Sequence, residues 1–312
     1  MPASRMDLVM MSSRQPDYTI TRGLILNLKD TLRTVWSLLN QETDRVIAFG
    51  VLNASLLSVL LWPFRRSRHW RMYVVDNGGS SIVFGGDGRS AIFRKLFRQY
   101  MGVIVFTTSQ ERIWKRCVPG LSVHRTRFAV AYRPPPPPPP GDSYVFCGGK
   151  TLRDFKTLEM ALAGMNVPVI VAYGHDPSRR HGYEVVAGKN LVVYRGVTPN
   201  AFENLISGSS LVVVPLVETN LPVGTTVCVQ AMAAGKPVVG TRNAGLIDYI
   251  SDGETGFLIP PGDSAALRDK ISYLIRSPEV ASLMGRRARR IAEKFDIEWL
   301  GRDITEYVLR GA

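Results

Sequence analysis

Residues 134–140 are seven consecutive prolines, with Gly141 directly after them. A run without backbone N–H donors is confined to extended polyproline II and cannot enter a helix interior or a central strand. The chain on either side must therefore fold as separate units, with the run as a stiff spacer between them. Docking to an SH3-type groove is the other use of such a run. At 312 residues, the chain has room for two domains of ordinary size. The charge balance also changes here. Residues 1–133 hold 20 Lys+Arg and 8 Asp+Glu, a net +12, whereas the remainder holds 19 and 18, a net +1. A basic half joined to a neutral half suggests two domains that meet different partners.

A content of 45% hydrophobic and 21% charged residues belongs to a folded chain and excludes a disordered one. Cys117, Cys147 and Cys228 are far apart and form no CxxC pair. A disulfide framework or structural zinc site is thus not expected, and a reducing cytosol is. The first 18 residues contain no stretch that reads as a signal-peptide core. The longest apolar segment, 56–64, is interrupted by Ser58 and broken by Pro63, and is half of what a bilayer crossing needs. The expected location is cytoplasmic, with peripheral attachment to the inner face of the membrane as the role for the basic half.

After the proline run, short β-rich segments at 144–147, 168–173, 191–194, 211–215, 237–241 and 256–259 alternate with helical spacing at 154–164, 201–208 and 225–234. Alternation of this kind predicts a doubly wound α/β domain on a parallel sheet. Further helices are expected at 264–275, 278–294 and 297–309. In the first half, 45–50, 72–76 and 102–107 read as strands, and 31–39, 52–62, 90–99 and 109–116 as helices, which is a second but shorter α/β unit.

The stretch with the most chemistry in it is 214–239, VPLVETNLPVGTTVCVQAMAAGKPVV. A buried strand ends at Pro215, a loop follows, and Gly224-Thr225-Thr226 opens a helix that stops at Gly235, with Pro237 preventing continuation. Threonine is expected to be the N-cap there. Such a loop delivers a helix N-terminus to the C-terminal edge of a parallel sheet, where free amides and the positive end of the dipole suit a diphosphate. An ordinary βα-turn containing glycine has the same local pattern.

The wider sequence narrows this choice. QAMAAGKPVVGTRNAGLIDYISDGETGFLIPPGDSAAL, residues 230–267, and YVFCGGKTLRDFKTLEMAL, residues 144–162, resemble the donor-binding domain of the retaining glycosyltransferases of family 4, also called glycosyl transferases group 1. That resemblance implies the GT-B fold: α/β, two Rossmann-like doubly wound domains facing a cleft, the first here shortened or diverged. It sets expected boundaries of 1–133 for an acceptor-side domain, 134–142 for the linker and 143–294 for the donor-binding domain. A helix over 295–312 should pack back towards the first domain.

What the resemblance implies can be placed on individual residues. Gln230 occupies the position of the family glutamate that binds the donor ribose, and Pro222 that of the glutamate that contacts the donor sugar, leaving Glu218 on the same loop as a substitute. Arg153 falls at the usual lysine position, where a guanidinium suits phosphate geometry. Gly148 falls at the usual arginine position, with Gly149 beside it and Lys150 as a neighbouring charge. Arg195 and Val197 follow the third strand, where the family places its nucleotide-base pocket. Arg153, Lys150 and Glu218 are the expected catalytic residues, and Gly148, Gly149, Arg195, Val197, Gly224, Thr225, Thr226 and Gln230 the donor-binding ones. No metal and no separate cofactor is expected, since cations and amides can stabilise a departing diphosphate. A nucleoside-diphosphate sugar is the expected donor, and a glycan or lipid-linked molecule the acceptor.

Two features pull in other directions. Gln230 and Pro222 also fit a protein that binds a sugar nucleotide without turning it over, and the opening βα-unit of the family reads as missing, shortened or diverged. The segments 64–71 and 89–98 are strongly basic; the second groups Ile92, Phe93, Leu96 and Phe97 with Arg94, Lys95 and Arg98. Such a helix can lie on an anionic bilayer, or turn its apolar side to the core and its charges to solvent. A basic nucleic-acid-binding module is a third reading, but the chain has no zinc-finger, RNP or helix-turn-helix signature to support it.

Overall fold

The computed structural model describes residues 45–64, 70–77, 90–131, 144–149, 151–173, 190–294 and 296–311. The chain forms two compact units, Met1–Arg127 with Gly301–Ala312, and Phe128–Leu300. The proline run and the helix expected over 31–39 lie outside the described residues.

The first unit is built on four parallel strands in the order β1 (Arg45–Phe49), β2 (Arg71–Val75), β3 (Tyr100–Val105) and β4 (Ser122–Arg125). Between them run α1 (Val51–Leu61), α2 (Ser90–Phe97) and α3 (Thr108–Cys117). One sheet face packs Val46, Ala48, Met72, Val74, Val103 and Val105 against Leu57, Leu61, Phe97 and Trp114. Parallel strands buried on both faces need continuous apolar runs, which is why β2 and β3 stand out in the sequence. β4 reads Ser-Val-His-Arg, an edge strand without such a run, which no apolar pattern in the sequence predicts. α2 settles much of its own ambiguity. Phe97 is fully buried and Phe93 packs on the core, whereas Ile92 points outward at 67% exposure.

The second unit holds a six-stranded, wholly parallel sheet. Its strands are β5 (Val145–Gly148), β6 (Val169–Tyr173), β7 (Leu191–Arg195), β8 (Leu211–Val214), β9 (Val238–Thr241) and β10 (Gly256–Ile259). The spatial order is β10-β9-β8-β5-β6-β7. The chain thus grows outward from β5 in one direction, then crosses over and grows outward from β8 in the other. α4 (Phe155–Leu162), α7 (Ser264–Arg276) and α8 (Pro278–Ala292) cover one face through Leu158, Leu267, Ile271 and Met284. α5 (Pro199–Gly208) and α6 (Thr225–Ala233) cover the other through Ile206, Val227 and Met232. Alternate residues of β5 serve the two layers: Val145 and Cys147 one, Phe146 the other. Helices on both faces of a parallel sheet make this a doubly wound α/β unit.

The last helix, α9 (Ile297–Arg310), covers the second face of the first unit's sheet. Ile304, Tyr307 and Val308 pack there with Tyr73, Val75 and Ile104. A Cβ at residue 102 would overlap the Tyr307 hydroxyl, so glycine is required for this fit. No described helix is long and apolar enough to cross a membrane.

α6 ends in a Schellman motif: Gly235 at φ +69 donates its N–H to Met232 and Lys236 donates to Ala231. α8 crosses at this end, so close that a Cβ on Gly285 would overlap the Gly235 carbonyl oxygen, a backbone atom that cannot swing aside. Gly285→Ala is therefore expected to destabilise the fold by about 1–3 kcal/mol, read as a lowered denaturation midpoint. An unchanged midpoint would mean that the two helices do not meet there.

Candidate functional site

The strand order reverses between β5 and β8, and the ends of these two strands supply the site. In open α/β sheets the crevice outside the carboxyl ends at such a reversal is where ligands bind. β5 ends at Gly148, and Gly149 beyond it adopts φ +89. β8 ends at Val214, and the chain then makes the loop that leads into α6.

Gly224, not a threonine, is the N-cap of α6. It adopts the left-handed region (φ +88, ψ −15), and no side chain caps the helix. Thr225 is the first helical residue, and its hydroxyl is used elsewhere, donating to the Gly245 carbonyl at 3.1 Å. The helical ladder starts with Cys228 donating to Gly224 at 3.0 Å. The amides of Thr225, Thr226 and Val227 consequently donate to no protein acceptor among the described residues. A threonine cap would have filled one of these positions; glycine leaves them all for a ligand. A Cβ at residue 224 would lie 3.1 Å from Leu216 and Val214 side-chain carbons, so the backbone here is pressed close onto the sheet.

Arg153 reaches the same place from the other strand. Backbone pairing ties its segment to the β8 loop: Asp154 donates to Pro215 at 3.0 Å, and Val217 donates to Leu152 at 3.1 Å, around a bridge from Arg153 to Leu216. Leu152 itself is left-handed at φ +52, a conformation that costs a non-glycine residue about 1–2 kcal/mol. The turn folds the guanidinium back over the strand end, where Nε donates to the Gly148 carbonyl at 2.8 Å and Nη1 to the Thr151 carbonyl at 3.0 Å. A Cβ placed on Gly149 would sit 2.5 Å from Arg153 Nη2 and 3.4 Å from a Val227 methyl. Glycine at 149 is what admits the guanidinium, and that guanidinium lies beside the first turn of α6. Arg153 pairs with no carboxylate among the described residues. Burial lowers its pKa and Cys147 acts in the opposite sense, yet an arginine stays protonated at any working pH. A guanidinium without a carboxylate partner near the uncapped start of a helix has the chemistry to receive an anion.

The other expected residues fall around this pair. Thr226 is exposed and Gln230 half-buried, one helical turn apart and hence on one face of α6. Glu218 is exposed on the loop, and Pro222 is half-buried on it. Arg195 ends β7, exposed, with its guanidinium 6.0 Å from the Tyr173 ring centre. Val197 donates its N–H to Tyr173 at 3.4 Å and packs on the core. Both lie at the same sheet edge, two strand spacings or about 10 Å from β5. Lys150 lies outside the described residues. Among the described residues no group of His, Cys, Asp and Glu is arranged to hold a metal ion. The sequence reading missed Asn243 and Gly245, which brace the loop before α6; the Asn-Ala-Gly run just after β9 was the available signal.

Two buried thiols flank the site. Burial pushes Cys147 up to about 12, with Arg153 pulling the other way, and pushes Cys228 up to about 12 as well. A thiol that stays neutral in the fold but ionises near pH 9 once unfolded favours the native state fully below pH 9. That contribution disappears as pH climbs from 9 towards 12, because the unfolded chain then gives up the protons first. Native protein at pH 8 should therefore leave Cys147 and Cys228 unmodified by iodoacetamide, and denatured protein should not, as peptide mapping will report. Rapid native labelling of either would contradict this packing.

Residues 155–277 match the family described as glycosyl transferases group 1. N-acetyl-alpha-D-glucosaminyl L-malate synthase of Bacillus anthracis is 38% identical over 73 residues, covering 23% of this chain and 19% of that protein. Matches of this kind span between 17% and 26% of the length of the first curated relatives. Likeness in fold extends much further. Sucrose-phosphate synthase from Thermosynechococcus elongatus superposes with a TM-score of 0.76 at 17% identity, covering 93% of this chain and 79% of that one. Anabaena HepE in complex with UDP and glucose superposes with a TM-score of 0.71 at 16% identity, covering 94% and 83%. The family match is confined to residues 155–277, and the two parallel-sheet α/β domains have the GT-B fold of these solved structures.

Proposed function

We propose that this chain is a glycosyltransferase that moves a sugar from a nucleoside diphosphate to a glycan or lipid-linked acceptor, with retention of anomeric configuration. The observation that carries the reading is the Arg153 guanidinium at the end of β5, across Gly149 from the Val227 side chain and paired with no carboxylate among the described residues, together with the three first-turn amides of α6 that no described residue caps. Negative charge grows on the diphosphate as the glycosidic bond to it breaks, and preorganised N–H groups and a fixed cation stabilise that charge without having to reorient. Donors of this kind contribute about 3 kcal/mol each in transition states where one has been removed. Retention follows from the resemblance of residues 230–267 to retaining enzymes. The other roles are assigned by position. Gln230 holds the ribose hydroxyls through its neutral carboxamide, Arg195 and Val197 border the base, and Glu218 reaches the donor sugar. Lys150 adds charge near the diphosphate.

A second reading has its own support. Gln230 stands where the resemblance implies a glutamate, and a neutral amide lacks the charge assistance of a carboxylate. Binding of a sugar nucleotide without turnover would follow if that loss were decisive. A thermal-shift screen with UDP-, GDP-, ADP- and TDP-sugars, followed by assays of donor hydrolysis and transfer, separates the readings. Saturation at a hundredfold excess over the dissociation constant stabilises the native chain by about 2.7 kcal/mol. Arg153→Ala should abolish the shift, and Arg153→Lys should restore only part of it, since a point charge cannot hold two oxygens in a fork. No shift with any sugar nucleotide would contradict both readings.

We propose further that the first unit rests on an anionic membrane surface at the cytoplasmic face. From 88 to 110 the chain has no acidic residue, and α2 exposes Lys95 and Arg98 together with Ile92. Such a stripe suits acidic headgroups. The protein should co-sediment with vesicles containing phosphatidylglycerol and not with neutral phosphatidylcholine vesicles, and charge reversal at Lys95 and Arg98 should release it. Equal behaviour with both vesicles would remove the proposal.

A further inference from the structure

The end of α6 that receives the diphosphate in the proposed function is held from outside the helix, by the turn that follows β9. Asn243 is buried there, 6% exposed. Its side-chain oxygen accepts hydrogen bonds from the amides of Gly245 at 3.2 Å and Leu246 at 3.0 Å. Two backbone donors demand an oxygen, so the assignment of the amide group is forced, and its nitrogen faces the Val223 carbonyl at 3.3 Å. In the opposite direction the Thr225 hydroxyl donates to the Gly245 carbonyl at 3.1 Å. One residue therefore stands between two ties, and that residue is Gly224, the left-handed N-cap.

The contact between the two segments is close. A Cβ on Gly245 would overlap the Val223 carbonyl oxygen, and Leu246 lies 3.3 Å from where a Cβ of Gly224 would be. The asparagine ties its own turn with its oxygen and the neighbouring loop with its nitrogen, so rotation of the Val223–Gly224 peptide would break a buried hydrogen bond. Yet neither Asn243 nor Gly245 hydrogen-bonds to the amides of Thr225, Thr226 and Val227, and neither brings charge to them.

We infer that Asn243 is a positioning residue for the diphosphate. By clasping Val223 while Thr225 clasps Gly245, it fixes the direction in which the first amides of α6 point. This rests on the donor-site reading above. Helix amides bind an anion well only when their directions are set beforehand, because orienting them on binding subtracts from the affinity. A loop of seven residues, 218–224, would otherwise leave the N-cap glycine free to rotate.

The test uses the full chain and two uncharged changes, Asn243→Ala and Thr225→Val, each of which cuts one tie without altering the charge of the site. Calorimetry measures binding of inorganic pyrophosphate, of UDP, GDP and ADP, and of the corresponding nucleosides. Each variant should lose about tenfold in affinity for pyrophosphate and for the preferred nucleoside diphosphate, with the affinity for the nucleoside unchanged. The double variant should lose less than the product of the two single losses, because both ties hold one element. A purely structural role would weaken nucleoside and diphosphate together, and that result overturns the inference, as does wild-type pyrophosphate affinity in folded Thr225→Val protein. Should Asn243→Ala fail to fold, Thr225→Val alone decides. A wild-type chain that binds neither pyrophosphate nor any nucleoside diphosphate removes the donor-site reading itself, and this inference with it.

Discussion

A glycine in the left-handed region at the start of a helix leaves amides with no side-chain cap, and among the described residues none fills the gap at Gly224. Four other helices are finished differently. Thr107, Asp154, Thr198 and Asp263 each accept a hydrogen bond from the first turn of the helix they precede. Such a cap contributes about 1 kcal/mol. Its absence at α6, one of the two helices that begin at the strand-order reversal, leaves a directed set of donors, and Arg153 adds a fixed positive charge to it. The surrounding details serve that pairing. Gly149 clears space for the guanidinium, the bridge from Arg153 to Leu216 joins the two strand ends, and Asn243 braces the cap.

The layering explains why this arrangement survives burial. β5 and β8 lie at the centre of the six-stranded sheet with helices over both faces, so their ends are anchored by the most deeply buried part of the unit. Loops at that edge can then be irregular without loosening the core, and positions such as Leu152 can hold a strained backbone. In the first unit the described strands follow one another across the sheet without reversal. No equivalent crevice arises from the strand order there, and what that unit presents is charge: a basic stripe along α2 above a packed core.

Much of this was legible in the residues, for identifiable reasons. Fully buried parallel strands need unbroken apolar runs, so β5, β6, β8, β9 and β10 announce themselves, and glycine with proline after α6 marks where that helix must stop. β4 is an edge strand of mixed residues, and local pattern could not separate it from a loop. Helical spacing grouped Ile92 with Phe93 and Phe97, but the sheet takes only the latter two, because a helix of two turns offers the core a narrow stripe. Propensity favours threonine as the N-cap, whereas the tertiary contact of Thr225 with Gly245 claims that hydroxyl. Asn243 lies 20 positions from the Val223 carbonyl it holds, and no local rule connects residues so far apart.

A crystal structure of the chain with a nucleoside diphosphate bound tests the central claim most directly. Phosphate oxygens should lie about 3 Å from the amide nitrogens of Thr225 and Thr226 and from Arg153 Nη2, with Gly224 still left-handed. A diphosphate held elsewhere on the chain, with the start of α6 closed by a side chain or Arg153 turned away from it, would contradict the role assigned to that helix.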